Sequence, residues 1–339
     1  SATSNLEKNK SARSKTPTAK KTFFATRYQD SQFKKAGEAL GDGRAVWTGE
    51  IIQKLKSGKL LYLDVVLKGV GPTPLAWSNH EDLSHKDGWQ SMEEAVHSFI
   101  HSEANIRNGI DSTADLAVIE LPFIRHIPNK ADSKTAITVR IGKQTRMAHL
   151  RFFKNRQKPF SEIFQYIIKR DLGLPLQTTI TDKEVSEFLF AFSKNLAQDA
   201  ARYYSLHAVH GSPTPGNRTT SGGTIDLGTF RYLDAHHSNY SYLFESLYLG
   251  GNFHQTAQLE SYLTDLIAYL EKSKYPLPEP ADRIYQRLTD TFWNQFATEC
   301  ARLELWRLGI TTDWIAKIPI DLQLKFSNSL HLLNEEEGT

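Results

Sequence analysis

Strand-favouring hydrophobic runs dominate the first part of the chain, and helical spacing dominates the second. Four segments are predicted to be strands: residues 45–52, 60–68, 115–121 and 136–141. Ser57-Gly58 is a turn signal between the first two of them. Met92–Arg107 is predicted to be helical, because its apolar residues recur every three to four positions. The pattern therefore predicts a β-rich lobe with one main helix.

From Pro159 onward the pattern favours helices. Thr181-Asp-Lys-Glu184 is a capping box that predicts the start of a long helix. One face of this helix is apolar, with Val185, Phe188, Leu189, Phe192, Leu196, Ala200 and Tyr203. Further helices are predicted at residues 255–273, 283–309 and 312–330. The long helix leads directly into the loop from His210 to Asp226.

This order of parts is that of a protein kinase, and it predicts an α+β, bilobal, protein-kinase-like fold. The β-rich N-lobe has one main helix, and the C-lobe is mainly helical. The predicted divisions are a disordered basic tail (1–21), the N-lobe (22–155), the C-lobe with a metal loop (156–273) and a helical C-terminal extension (274–339). The Pro-rich run KYPLPEPAD (274–282) is read as the linker before that extension.

Composition excludes few classes of protein but constrains the partners. The 339 residues include 41 basic and 38 acidic side chains, and this near balance argues against a dedicated nucleic-acid binder. Without a run of about 18 apolar residues, no membrane segment is expected. Cys300 is predicted to be a buried thiol, and a single cysteine fits a reducing compartment. With no secretory signal visible, we expect a cytoplasmic location.

A lysine and a glycine turn are the first candidates for chemistry. Lys68 ends its strand beside a Gly-rich loop, where an ammonium group can pair with phosphate oxygens. The turn Gly41-Asp42-Gly43-Arg44 can cradle phosphate with backbone N–H groups. Taken alone, each feature is more often structural, as an edge-strand lysine or an ordinary turn.

The loop after the long helix carries two candidate metal ligands. Asn217 and Asp226 offer an amide oxygen and a carboxylate, hard ligands that suit Mg²⁺ or Mn²⁺ held together with nucleotide phosphates. His210 and Asn217 have the spacing of His and Asn in the kinase H-R-D-x-x-x-x-N loop, and Asp226-Leu-Gly is close to D-F-G. Ser212 stands at the position of the kinase catalytic Asp.

Arginines and histidines supply the remaining candidates. Arg140 and Arg146 flank a short loop and can clamp a terminal phosphate, although two surface arginines are the simpler interpretation. A zinc site is disfavoured. His97 and His101 have the spacing of H-E-x-x-H, but Ser98 replaces its Glu, and the other histidines lack a Cys partner or a clear carboxylate ligand.

Together these segments resemble the selenoprotein O family, which includes the bacterial YdiU-like proteins. The resemblance covers about residues 37–272. It is carried by LGDGRA (40–45), LDVVLKGVGPTP (63–74), KDG (86–88), SFIHSEANIRNGIDSTADLAVI (98–119), VRIGKQTRMAH (139–149) and HG…N…TIDLGTFRYLD (210–234). It implies a kinase-fold protein that resembles a pseudokinase and transfers AMP from ATP to protein hydroxyl groups.

The resemblance also implies roles for individual residues. The nucleotide-binding positions are Gly41, Gly43, Arg44, Lys68, Asp87, Gly88, Arg140 and Arg146. Asn217 and Asp226 match the metal ligands, and Lys68 and Asp226 would carry catalysis. Arg140 and Arg146 match a pair that buries the terminal phosphate, which implies a flipped ATP with an exposed α-phosphate.

Two departures from the family pattern bear on activity. Gly216 replaces the proposed base, an Asp just before the metal-binding Asn. Ser98 replaces the helix Glu that pairs with the lysine, and we hypothesise that Glu94, one turn earlier, takes its place.

Three functions remain open at this point, all with ATP and Mg²⁺ or Mn²⁺. The first is AMP transfer to a hydroxyl of a protein or peptide. The second is formation of an acyl-adenylate on a peptide or metabolite carboxylate, which is already ionised and needs no base. The third is a catalytically dead nucleotide-binding pseudokinase. Ordinary phosphoryl transfer from ATP is the remaining alternative.

Overall fold

A computed structural model of the chain describes residues 44–71, 87–127, 131–206, 208–232 and 255–325. Two of the predicted nucleotide-loop residues, Gly41 and Gly43, lie outside these ranges, as does the predicted tail at 1–21. The other candidate residues are described. None of the described helices combines the length and the apolar character needed to cross a bilayer.

An antiparallel sheet forms the N-terminal lobe. Its strands are β1 (Ala45–Lys54), β2 (Leu60–Lys68), β3 (Gln90–Ser91), β4 (Ala114–Arg125) and β5 (Ser133–Gly142). Strand β5 is central, because it pairs with β2, β3 and β4, while β1 pairs with β2. Helix α1 (Met92–Arg107) has the predicted bounds and packs against β4 and β5. Lys68 ends β2 between Ala45 of β1 and Thr138 of β5.

Helices build the second lobe. They are α2 (Met147–Phe153), α3 (Gln157–Asp171), α4 (Asp182–Leu206), α5 (Gln255–Lys272), α6 (Ala281–Arg307) and α7 (Thr312–Ile315). Helix α4 begins as predicted, with the Glu184 carboxylate accepting a hydrogen bond from the Thr181 backbone N–H at 2.9 Å. Short strands β6 (Ala208–Val209) and β7 (Arg231–Tyr232) pair at the two ends of the candidate metal loop. The predicted fold class, α+β with a kinase-like order of lobes, is confirmed.

The main hydrophobic core lies in the helical lobe. The predicted apolar face of α4 is buried along its whole length and packs against α5 and α6. Ser193 of α4 donates a hydrogen bond to the Leu288 carbonyl of α6 at 2.7 Å, so the predicted extension shares this core. Cys300 is buried on α6, as predicted. The exact domain boundaries stay a prediction.

Helix α1 buries a different face from the one its apolar spacing indicates. Ala95 is buried, but Val96, Phe99 and Ile100 are exposed. The other buried positions are polar: Ser98, Ser102 and Asn105. They are tolerated there because each finds a hydrogen-bond partner on a neighbouring segment, at Asp115, Thr113 and Tyr232 respectively. The helix was predicted correctly, although most of its apolar positions do not mark the buried face.

A buried ion pair joins the sheet to the helical lobe. Asp64 of β2 accepts a hydrogen bond from Arg170 of α3 at 2.9 Å. The same carboxylate also accepts from the Trp47 indole at 3.0 Å and from the Gln144 backbone N–H at 3.2 Å. Both carboxylate oxygens of Asp64 therefore accept hydrogen bonds, and its ion pair with Arg170 fixes α3 against the sheet.

We expect Asp64→Ala to lower the free energy of unfolding by about 3–5 kcal/mol, because it leaves the Arg170 charge buried without its main partner. Glu187→Ala is the matched control. Glu187 pairs with Lys59 across the same two lobes at 3.9 Å, but the side chains are 49% and 58% exposed, so its loss should cost less than about 1 kcal/mol. Urea unfolding measures both, and equal losses would contradict this role for the buried pair.

Candidate nucleotide-binding site

Lys68 lies between two carboxylates contributed by other elements. Its Nζ is 2.9 Å from Oε1 of Glu94 on α1, and it also donates to Asp226 in the loop of the helical lobe. The second oxygen of Glu94 accepts a hydrogen bond from Arg44 at 3.0 Å. The hypothesis that Glu94 pairs with Lys68 is confirmed by this contact. Lys68 is only 4% exposed, so the cluster ties together the sheet, α1 and the candidate metal loop.

Both carboxylates are held in the ionised state. Burial would raise the pKa of Glu94, but Lys68 and then Arg44 lower it to about 2. Burial would likewise raise the pKa of Asp226, yet Lys68, Arg140 and Arg44 lower it well below its usual range. The site therefore presents permanent negative charges at neutral pH, each matched by cations.

The Asp-Leu-Gly run has the conformation that this cluster needs. Asp226 has φ 64° and ψ 65°, a left-handed geometry that is uncommon for a residue other than glycine and that concentrates at functional sites. Two residues later, a Cβ at Gly228 would lie 3.2 Å from Cγ of Glu94. The glycine therefore allows the loop to approach α1 closely enough for Asp226 and Glu94 to share Lys68.

Asn217 lies beside the Asp226 segment. Its side-chain nitrogen donates to the Ser212 carbonyl at 3.0 Å, which leaves the amide oxygen as the group able to ligate a cation. Its backbone carbonyl accepts from the Ile225 N–H at 3.1 Å, so the two candidate ligands sit on adjacent backbone segments. An amide oxygen and an ionised carboxylate fit Mg²⁺ or Mn²⁺. In the described part of the chain, no group of three His, Cys, Asp or Glu side chains could hold a metal ion by itself.

His210 holds the two halves of this loop together. Its ring is fully buried, with Nε2 2.9 Å from the Ile225 carbonyl and Nδ1 accepting from the Ser212 N–H at 3.2 Å. These partners define a neutral imidazole with its proton on Nε2. Burial lowers the pKa of His210 to about 4, which keeps it neutral at physiological pH. The histidine therefore orients backbone next to Asp226.

A buried ion pair that sequence reasoning missed supports Asn217 from behind. Arg218, the next residue, pairs with Asp199 of α4 at 3.0 Å and donates to the Gly222 carbonyl at 2.9 Å. Both charged side chains are almost completely buried. The only signal in the sequence is Asp199 itself, a charged residue close to the apolar face of a long helix.

The two candidate phosphate-clamp arginines have protein partners. Arg140 donates to Asp115 at 3.0 Å and to Ser98 at 2.9 Å, and Ser98 donates to Asp115 at 2.6 Å. Ser98 is therefore part of a buried triad, and Asp115 offsets the charge of Arg140. Arg146 donates to the Gly216 carbonyl at 2.7 Å. Both arginines lie within electrostatic reach of Asp226, because both contribute to lowering its pKa.

Asp87 has hydrogen-bond partners other than those of the Lys68 cluster. Its carboxylate accepts from Arg125 at 2.6 and 2.7 Å and from the Trp89 N–H at 3.1 Å. Gly88, with φ 72°, accepts from the Gly71 N–H at 3.0 Å. The described contacts of this pair shape the segment that leads into β3, and its role toward a nucleotide stays a prediction.

We expect the His210→Gln variant to lose less of its free energy of unfolding at acid pH than the wild type does. Because the folded-state pKa of His210 is lowered, its contribution is complete above about pH 6.5 and is lost as the pH falls towards 4. For a shift of this size the loss at pH 4.5 is about 2–3 kcal/mol. Gln can donate to the Ile225 carbonyl without titrating. Urea unfolding of both proteins at neutral and acid pH measures the difference, and identical pH dependence would contradict this role.

Comparison with known proteins agrees with the geometry. The family model "Protein adenylyltransferase SelO" matches residues 3–335. Among similar curated proteins, the "Protein nucleotidyltransferase YdiU" of Shewanella loihica is 30% identical over 219 residues, which is 63% of this chain and 42% of that protein. Those of Shewanella halifaxensis and Shewanella oneidensis are 30% and 29% identical over 217 residues with the same coverage. The chain thus spans about two fifths of the length of these relatives, and it belongs to the family of the protein adenylyltransferase SelO.

Proposed function

We propose that this chain binds ATP with Mg²⁺ or Mn²⁺ and transfers AMP to an acceptor on a protein. The observation that carries the proposal is the buried Lys68, held between Glu94 and Asp226. A lysine fixed by a helix carboxylate beside an aspartate that can ligate a metal is the arrangement that kinase-like proteins use for nucleotide phosphates. The family match and the names of the relatives point the same way.

The residues of the chain would act mainly through position and charge. Lys68 and Arg44 would neutralise phosphate oxygens, and Glu94 would hold both cations in place. A metal ion bound by Asn217 and Asp226 would supply further charge neutralisation at the phosphates. Such preorganised charge is worth more in a partly water-excluded site than in water, and phosphoryl-type transfer depends on it.

The arginines support a flipped orientation of ATP. If the terminal phosphate is directed to Arg140 and Arg146, the α-phosphate is left exposed to an acceptor and AMP becomes the transferred group. In this chain Arg146 is the stronger candidate for that contact, because the charge of Arg140 is already offset by Asp115. The chain covers about two fifths of the length of these relatives, so the proposal rests on the residues of this chain.

We expect Asp226→Asn and Lys68→Met each to reduce AMP transfer by at least about 100-fold, since Lys68 would neutralise phosphate oxygens directly and Asp226 would hold the metal ion that does so. The assay uses ATP labelled at the α-phosphate, Mg²⁺ or Mn²⁺, and a mixed protein extract. A parallel reaction with γ-labelled ATP reports phosphoryl transfer. Label on protein from the γ-phosphate alone would contradict the proposal, and no Asp226-dependent turnover would favour a binding-only pseudokinase.

We expect Glu94→Gln to lower kcat/KM for ATP by about 10–100-fold, the value of a charge-assisted contact to two cations. Glu93→Gln is the matched control, because Glu93 is the neighbouring acid on α1 and is exposed. It should behave as the wild type. Steady-state kinetics at varied ATP measure both variants, and a similar loss in the two would show that the effect comes from surface charge.

A further inference from the structure

We propose that the acceptor of the AMP group is a carboxylate, so that the product is an acyl-adenylate. This inference rests on the proposed function and names its substrate class. The observations behind it are the residues next to the candidate metal ligand Asn217, their hydrogen bonds and their charges.

The first observation concerns the loop from His210 to Asn217, where a kinase-like site carries its base. Ser212 and Gly216 occupy the two positions where a carboxylate would be expected. The Ser212 carbonyl is engaged by Asn217, and the Gly216 carbonyl is engaged by Arg146. Neither residue offers a group that accepts a proton from an alcohol at neutral pH.

The titratable groups nearby are also unsuited to that task. The imidazole of His210 is fully buried with both nitrogens hydrogen-bonded. The Glu94 carboxylate is occupied by ion pairs with Lys68 and Arg44, and Asp226 is paired with Lys68, so neither is placed to take a proton from an acceptor. Asp199 contacts the loop through Arg218, but it is almost completely buried behind Asn217 and its carboxylate is used by that ion pair. Within the described ranges, these groups therefore provide charge and position but no general base.

The second observation is the sign of the charge beside the expected acceptor position. Arg146 binds the Gly216 carbonyl at 2.7 Å, so a guanidinium group lies next to the residue before Asn217. Arg146 itself is assigned to the terminal phosphate and gives no help in deprotonating a hydroxyl at the α-phosphate. Because a glycine stands where the base would be, a carboxylate acceptor that approaches from this side meets no like charge at that position.

A carboxylate acceptor makes the reaction complete without a proton transfer. One carboxylate oxygen, ionised at neutral pH, attacks the α-phosphorus of ATP and forms a new P–O bond. The bond from the α-phosphorus to the bridging oxygen breaks, and pyrophosphate leaves with that electron pair. A hydroxyl acceptor would have to release its proton to a group that the described part of this site does not provide.

The test uses the full wild-type chain, α-labelled ATP, Mg²⁺ or Mn²⁺, and a tryptic digest of a mixed protein extract as acceptor. One portion of the digest has its carboxyl groups amidated beforehand, and Asp226→Asn is the blank. We expect Asp226-dependent label on the untreated digest, its loss on the amidated digest, and release of the label as AMP by neutral hydroxylamine, which cleaves acyl-adenylates but leaves phosphodiesters intact.

Label that resists hydroxylamine and persists on the amidated digest would overturn this inference while supporting the proposed AMP transfer. Absence of any Asp226-dependent label on peptide would defeat both proposals. The two failures are therefore distinguishable in one experiment.

Gly216→Asp provides a second test in the opposite direction. Gly216 does not have a positive φ, so its backbone accepts a side chain without left-handed strain. With a carboxylate acceptor we expect about 5-fold slower labelling, because the new anion repels the substrate. With a hydroxyl acceptor the added base would instead speed labelling by about 10²–10⁴-fold, which would overturn the inference. Gly216→Asn, similar in size and uncharged, controls for the volume added.

Discussion

The buried ammonium group of Lys68 is the contact on which the candidate site depends. It ends β2, which lies between β1 and β5, and its partners come from α1 and from the loop after α4. A charge this deeply buried is stable only when it is paired, so the position of α1 and the left-handed turn at Asp226 are both required by it. The site is thus preorganised, with the helix already drawn in against the loop.

The sequence was most informative where a single element decides the outcome. The bounds of α1, the start of α4 and the buried face of α4 follow from local spacing and capping, and all three are confirmed. The pairing of Lys68 with Glu94 could be proposed because a shift of one helical turn keeps a side chain on the same face. The sequence could not show which face of α1 is buried, because its buried serines and asparagine depend on partners from other elements.

The same limit applies to the support behind Asn217. Arg218 and Asp199 lie in different segments of the chain, and apart from the position of Asp199 close to the apolar face of α4, no pattern distinguishes them from surface residues. Only the fold shows that their charges meet inside the helical lobe at 3.0 Å. Together with His210, this pair fixes the loop on two sides, so the geometry of the ligands is set by buried polar contacts that periodicity cannot reveal.

The displaced carboxylate on α1 has a consequence for how inactive members of kinase-like families are recognised. Such members are commonly identified by the loss of one residue at an aligned position, and by that criterion Ser98 would mark this chain as defective. In space the carboxylate is present, because Glu94 reaches the same lysine from one turn earlier. The position where the family pattern has the glutamate is occupied by Ser98, which hydrogen-bonds Asp115 and Arg140 instead. What this chain retains is a carboxylate at the place where it contacts the lysine. A count of missing motif residues will therefore classify as inactive some sites in which another residue supplies the same group.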